Sequence, residues 1–362
     1  MRHRCRSANR GDRMAHAFSM KEIAVQAGVS LATVDRVLHQ RPGVRLATQR
    51  RVHQAEVELQ RQRQQVGLRG RRFLVDLVME APERFSRMVR DALDDAVRRV
   101  GPAVFRVRDH LAQTRGVDEL VELLDAIGRR GSHGVLLKAP DVAPVVDAVA
   151  RLHARGIPVV TLVTDIPRAR RRAYVGLDNA SAGRTAAYLM GHWLADTTAG
   201  VLVSSSGRLF RGEEERIRAF AHAWRTARPA SHVRVVTAGH GLHGPTAAAV
   251  ARLLARHPDL AAVYSVGGAN DAILAAFERA RRPCTVFTGH DLDDENLALL
   301  RAGRLAAVLH HDLQHDLQMA CLCVMQAHGA GPPAWDSTRS NVEVVTPFNL
   351  PSAFAARTQP TG

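Results

Sequence analysis

Ten short apolar runs separated by amphipathic stretches of helical length leave few folds open to this chain. They fall at residues 73–79, 103–107, 134–137, 157–163 and 173–177, and again at 200–203, 233–237, 261–266, 284–288 and 305–309. A strand that is apolar on both faces needs cover on both faces, which parallel sheets obtain from the helices that connect their strands. Stretches such as 87–100 and 181–194 supply such helices. Two sets of five runs predict an α/β core of two similar lobes, each a parallel sheet flanked by helices.

Open parallel sheets bind ligands beyond the carboxyl ends of their strands. Glu80, Lys138, Asp165, Asp178, Asn179, Arg211, Asn270, Asp291 and His311 follow the runs directly or sit in the loops leaving them. Carboxylates, amides and a few cations suit a hydroxyl-rich ligand, because each donates or accepts in a fixed direction. Lys138 stands out as the only lysine beyond the N-terminal region of a chain that otherwise uses arginine.

Residues 20–38 (MKEIAVQAGVSLATVDRVL) follow a different period. Ile23, Ala24 and Ala27 share one helical face, Gly28 ends that helix, Ser30 caps a second, and Val34, Val37 and Leu38 turn the second inward. Two short helices joined by a tight turn result, with Leu31, Ala32, Asp35, Arg36 and His39 facing outward. This set can meet donors, acceptors and thymine methyls in a major groove. A proline-glycine loop follows, then a third helix from Ala47 to about Gln62, with Thr48, Arg50 and Arg51 as phosphate-contact candidates. Residues 60–72 (QRQRQQVGLRGRR) read as a basic linker in which Leu68 is a candidate minor-groove wedge.

Charge supports that division. Of the net +15, residues 1–72 carry 16 basic against 5 acidic side chains, whereas the remaining 290 carry 34 against 30. The excess lies where phosphates are to be neutralised. Four cysteines (Cys5, Cys284, Cys321, Cys323) make no CxxC pair or zinc spacing, which fits a reducing cytoplasm. No apolar run approaches the roughly 20 residues of a membrane span, and residues 1–18 lack the apolar segment of a secretory signal. That extension is expected to be disordered, with Met14 or Met20 as alternative starts. Nucleotide-binding, hydrolase and zinc-protease motifs are missing, so no cofactor, metal or catalytic residue is expected.

The order of these parts resembles the LacI/GalR family of bacterial transcription regulators, from Ser19 to about Thr346. The resemblance is most specific in EIAVQAGVSLATVDRVL and looser in IPVVTLVTD, YVGLDNASAG, GGANDAILAAF and FTGHDLDDENLALLRAGRLAAVLHHD. It implies a small all-α helix-turn-helix domain, a hinge, and a two-lobed core like that of periplasmic sugar-binding proteins. Leu31 and Ala32 match the family's base-reading pair and Arg36 its guanine-contacting arginine, while Ser30, Thr33 and Thr48 match backbone-contact positions. Asp165, Asn270, Asp291 and His311 match effector-holding positions, and Arg211 lies near another. Asp35 replaces a usual serine, either to accept from a cytosine amine or to pair with an arginine, and Arg45 replaces a helix cap. The linker lacks the usual tyrosine-proline-asparagine segment, though Leu68 aligns with the family's intercalating leucine.

The resulting expectation is a DNA-binding domain at 19–62, a hinge at 63–72, and an effector domain at 73–350, followed by a flexible tail at 351–362. Lobe 1 is expected at 73–177 and 312–336, and lobe 2 at 178–311 and 337–350. The expected function is a cytoplasmic homodimeric repressor that binds double-stranded operator DNA under control of a sugar- or polyol-like effector. A solute-binding or sensor protein without DNA binding, and an α/β enzyme acting on a sugar-like substrate, are the alternatives.

Overall fold

The computed structural model describes residues 18–68, 70–207, 210–237, 239–330 and 337–355. The chain divides into two compact units, residues 1–69 and 70–362.

The first unit is three helices, α1 (Met20–Ala27), α2 (Leu31–Leu38) and α3 (Leu46–Leu68). Ser19 and Glu22 close a reciprocal capping box at the start of α1, and Gly28 ends it at φ 61°, a left-handed conformation that a Cβ disfavours. Ser30 caps α2 by accepting from the Thr33 amide. Ile23, Ala24, Ala27, Val34, Val37, Val52 and Ala55 form the small core. The third helix runs past the expected Gln62 to Leu68, through the stretch expected to be linker. Arginine and glutamine are good helix formers, and Gly67 costs only about 1 kcal/mol, so polarity alone does not end a helix. The side chain of Leu68 lies outside the described residues.

The second unit contains two six-stranded sheets. In the first sheet, β1 (Arg72–Glu80), β2 (Val104–Ala112), β3 (Gly134–Lys138), β4 (Val159–Leu162), β5 (Ala173–Leu177) and β11 (Ser337–Ser340) lie in the order β11-β5-β4-β3-β1-β2. In the second, β6 (Gly200–Ser204), β7 (Val233–Val236), β8 (Leu260–Ser265), β9 (Val286–His290), β10 (Ala307–His310) and β12 (Glu343–Val345) lie in the order β12-β10-β9-β8-β6-β7. Each of the ten apolar runs contributes a strand. The lobes repeat one topology, and all pairings are parallel except β10 with β12.

Helices α4 (Glu83–Arg99), α5 (Val117–Arg130), α6 (Ala143–Ala154) and α12 (Leu313–Ala327) accompany the first sheet; α7 (Asn179–Trp193), α8 (Arg211–Ala227), α9 (His243–Arg256), α10 (Asn270–Arg279) and α11 (Asp294–Arg301) accompany the second. Each turns an apolar stripe inward. On α4, Phe85, Val89, Ala92, Leu93 and Ala96 are buried, the spacing of a single helical face. The chain crosses between lobes after β5, after β10, and between β11 and β12. The last crossing corrects the expected boundary at 336/337: Ser337–Ser340 (STRS) pairs with β5 at the edge of the first sheet. A polar edge strand carries no apolar run to announce it.

Asp76, fully buried on β1, anchors the first lobe. It accepts from Arg108 Nε (2.9 Å) and Nη2 (2.6 Å), lies 2.9 Å from His110 Nε2, and also accepts from Arg130. Burial pushes its pKa up, but the bonds from Arg108, Ser132 and His110 outweigh burial and leave it lowered. A lowered pKa contributes stability above the unfolded value near 4, lost as pH falls through the folded value. Asp76→Ala is therefore expected to cost about 3 kcal/mol at pH 7, the low end for breaking a buried pair because its arginines are partly exposed, and to flatten the acid limb of stability against pH measured by urea denaturation.

Candidate DNA-reading helix and effector cleft

The eight residues of α2 span about 12 Å, the width of a major groove. Its buried Val34 and Val37 face α1 and α3, leaving Leu31, Ala32 and Arg36 exposed. Leu31 is 52% exposed, unusual for a large apolar side chain beside a core, and the Arg36 guanidinium has no partner among the described residues. Thr33 is half-buried, and its hydroxyl lies 2.9 Å from that of Ser30. Thr48, also half-buried, sits in the first turn of α3. Asp35 takes the arginine alternative: Arg41 Nη1 donates to its Oδ2 at 2.9 Å, with His39 Nδ1 3.1 Å from Oδ1. Arg51 is spent on structure, its Nη2 donating to Ala27 O (2.6 Å) and Gly28 O (3.1 Å) and so closing the end of α1.

In the second unit, the carboxyl ends of both sheets border one cleft. Glu80, Lys138 and Thr164 from the first lobe meet Ser206, His240, Gly267, Gly268 and Asp291 from the second, with Arg84 from α4 and Glu213 and Arg216 from α8. The cavity is about 70 Å³, several times what one water requires. Val163, His240 and Asp291, all lining it, adopt φ of 64°, 49° and 63°. Such strain concentrates where a surface is shaped for binding.

Several contacts among the described residues join the lobes; Asn179 Nδ2 donates to Tyr174 OH at 3.2 Å and Arg211 Nη1 lies 3.9 Å from Asp141 Oδ2, and three others border the cleft. Arg84 Nε lies 3.0 Å from Asp293 Oδ2, and its Nη1 donates to Gly241 O at 3.1 Å. Lys138 Nζ sits 3.6 Å from the centre of the Phe210 ring. The Gly212 amide donates to Thr164 Oγ1 at 3.0 Å. Gly268 leaves room for the first, since a Cβ there would fall 2.1 Å from Arg84 Nη2.

Burial pulls Lys138 down to about 8 against the opposing pull of Glu213 and Glu80, while its Nζ donates to Glu80 O at 2.7 Å. Burial raises Glu80, offset in part by Lys138. It also holds His290 neutral, well below the usual histidine range. His290 Nε2 is 2.7 Å from Tyr264 OH, but its buried Nδ1 has no partner. Arg216, 4% exposed, donates to Asn179 Oδ1 at 2.7 Å and forms no ion pair among the described residues. Carboxylates, unspent donors and a strained lining can hold hydroxyl groups from several sides.

Of the nine sequence candidates, Glu80, Lys138 and Asp291 meet in the cleft; the other six lie outside its lining, Asp178 as the cap of α7 and Asn179 in the first turn of that helix. Asp165 is consumed locally by Arg171 Nη2 (2.7 Å), Thr161 Oγ1 (2.9 Å) and the Ile166 amide (2.8 Å). Arg211 folds back on Glu215, with Nε 2.8 Å from Oε1. Asn270 is fully buried, donating to Asn296 Oδ1 at 2.6 Å. His311, 2% exposed, stands behind Asp291 at 3.7 Å and pairs with Asp316 at 2.6 Å; although burial lowers its pKa, Asp316 and Asp291 raise it overall.

Sequence reasoning missed Arg84, Ser206, Glu213, Arg216, His240, His290 and Asp293. Glu213 accepts from Ser205 Oγ (2.7 Å), the Ser206 amide (2.8 Å) and Ser206 Oγ. The neighbouring VSSSG run was the available signal. Arg84 follows the first strand closely, the place where α/β ligands gather.

Comparison with known proteins agrees with this geometry. Residues 79–328 match the periplasmic binding protein domain, and residues 19–60 match the bacterial regulatory proteins of the lacI family. GanP, a glucose-galactose binding protein from Geobacillus stearothermophilus, is 22% identical over 77% of this chain and 99% of its own, with TM-score 0.68. AraP, an arabinose binding protein from the same organism, is 19% identical over 76% and 96%, with TM-score 0.62. A candidate LacI transcriptional regulator from Bacteroides fragilis is 16% identical over 76% and 96%, with TM-score 0.65. At these identities the likeness is one of fold. No curated protein matches the sequence.

Arg84→Ala removes the cation that spans the cleft and leaves the 8%-exposed Asp293 unpaired. Small-angle scattering of the ligand-free variant is expected to show a larger radius of gyration than the parent; an unchanged radius would remove Arg84 from the closing contacts.

Proposed function

Because the chain belongs to the periplasmic binding protein domain family and carries a lacI-family DNA-binding domain ahead of that core, it is a ligand-responsive DNA-binding regulator, and we propose that it works as a homodimeric cytoplasmic repressor whose effector is a monosaccharide- or polyol-sized molecule. The carrying observation is the joint presence of an outward α2 bearing Leu31, Ala32 and Arg36 and a polar cleft bridged by Arg84, Lys138 and Thr164.

Several features support this reading. One short helix reads few base pairs and buries little surface, so a twofold pair on a partly palindromic operator supplies the missing affinity. Glu80 and Asp291 present acceptors, and Arg216 and Lys138 donors, around a cavity of about 70 Å³. Glucose, galactose and arabinose are what the structurally similar GanP and AraP bind by name, which makes such sugars the first compounds to test. The families are regulatory and solute-binding, and no enzymatic step is assigned. No helix among the described residues is long and apolar enough to cross a membrane.

Two substitutions separate the roles. Arg36→Ala should weaken binding to genomic fragments captured by the protein by about 1–3 kcal/mol and relax choice at one base pair; an unchanged titration would remove Arg36 from the reading set. Asp291→Asn keeps a residue type that tolerates positive φ and should weaken the effector response at least about tenfold, with operator affinity in the absence of effector preserved. Loss of both activities would assign Asp291 to folding.

A further inference from the structure

We propose that His232, His257 and Asp259 form a binding site for a divalent transition metal of the zinc class, on the face of the second lobe opposite the effector cleft. His232 precedes β7, His257 caps the end of α9, and Asp259 precedes β8. All three therefore gather at the amino ends of the strands, whereas the cleft lies at the carboxyl ends. One nitrogen or oxygen from each lies within 4.8 Å of the other two. Zinc takes bond lengths of about 2.0–2.2 Å with imidazole and carboxylate ligands, so binding draws these atoms in towards one shared point. Two imidazoles and one carboxylate suit a borderline transition ion, unlike the all-oxygen shells of magnesium and calcium.

Three features of the surroundings point to a shared ion in place of an ordinary ion pair. His232 Nε2 is 3.0 Å from Asp259 Oδ2, yet the two are out of line for a hydrogen bond, and this buried nitrogen has no other partner. Gly200 makes the approach possible: a Cβ there would fall 2.9 Å from Asp259 Oδ2 and 2.9 Å from His232 Nε2. The backbone is held in advance. Val201 N donates to His232 O at 2.9 Å, and Gly200 N to Asp259 O at 3.0 Å. Arg282 fixes the turn carrying the other two ligands, donating from Nη1 to Leu254 O and His257 O (3.3 Å each) and from Nη2 to Leu260 O (2.9 Å) and Pro258 O.

A second group, His243, Asp271 and Glu295, also satisfies the distance requirement, but its imidazole is already engaged. His243 Nε2 lies 2.7 Å from Glu295 Oε2 and 2.9 Å from Asp271 Oδ1, while Glu295 Oε1 accepts from the Asn270 and Asp271 amides. That group serves as the control.

The test is a zinc titration of the full-length protein, stripped with chelator, against a chromophoric competitor at pH 7.5. One tight equivalent is expected, weakening at acid pH because the imidazoles must bind unprotonated. His232→Gln and His257→Gln should each weaken it at least about tenfold, and Gly200→Ala should do the same by filling the space between ligands. His243→Gln should retain it. Saturating zinc should raise the melting temperature of the parent and of His243→Gln but not of His232→Gln, with far-UV circular dichroism confirming that each variant folds. No tight equivalent in the parent, or an equivalent that survives His232→Gln and His257→Gln, would overturn the proposal.

Discussion

The reach of Arg84 across the cleft is the contact on which the architecture's working state depends. It leaves the first turn of α4 in one lobe and ends on Asp293 and Gly241 in the other. Its partner is a buried carboxylate that burial pushes up to about 6, with Arg84 and the Asn296 amide opposing. A charge pair in such a place is net favourable only while both members are present. Lys138 over Phe210, and Gly212 against Thr164, add two further connections of different chemistry. Together they bring the carboxyl ends of two separate sheets face to face, which neither sheet could do alone.

That arrangement explains the character of the lining. Side chains that close the cleft are already partly spent, whereas Asp291, Arg216 and His290 Nδ1 retain bonding capacity. His311 is held by Asp316 at 2.6 Å and stands 3.7 Å behind the Asp291 carboxylate. Of the residues at positive φ, Val163 and Asp291 directly follow β4 and β9, and His240 lies in the loop between β7 and α9. A ligand seated there contacts both lobes, so its binding energy is differential between open and closed forms, the requirement for shifting a population.

The ten central strands were legible because strands covered on both faces must be almost wholly apolar. β11 and β12 were not, since edge strands with polar sequence such as STRS follow no such rule. The extension of α3 was hidden in QRQRQQ, which is as compatible with helix as with a linker. In the cleft, Glu80, Lys138 and Asp291 could be read because they end or directly follow apolar runs. Asp165, Asn270 and His311 occupy equivalent places, but each was captured by a partner whose approach the sequence does not announce: Arg171, Asn296 and Asp316. Arg216 and Glu213 face the cleft from a helix whose orientation only the packed structure reveals. On α2 the reading was more complete, because a short amphipathic helix has one inner face and the remainder must point out.

The proposed function requires that occupancy of this cleft and occupancy of an operator be coupled within one molecule. The most direct measurement is effector affinity of the full-length protein, by calorimetry with a panel of monosaccharides and polyols, in the presence and absence of a captured operator fragment. An active effector is expected to change operator affinity, and the operator to change effector affinity by the same factor, as linkage requires. Effector binding with an identical constant in both conditions, while the operator stays bound throughout, would contradict it.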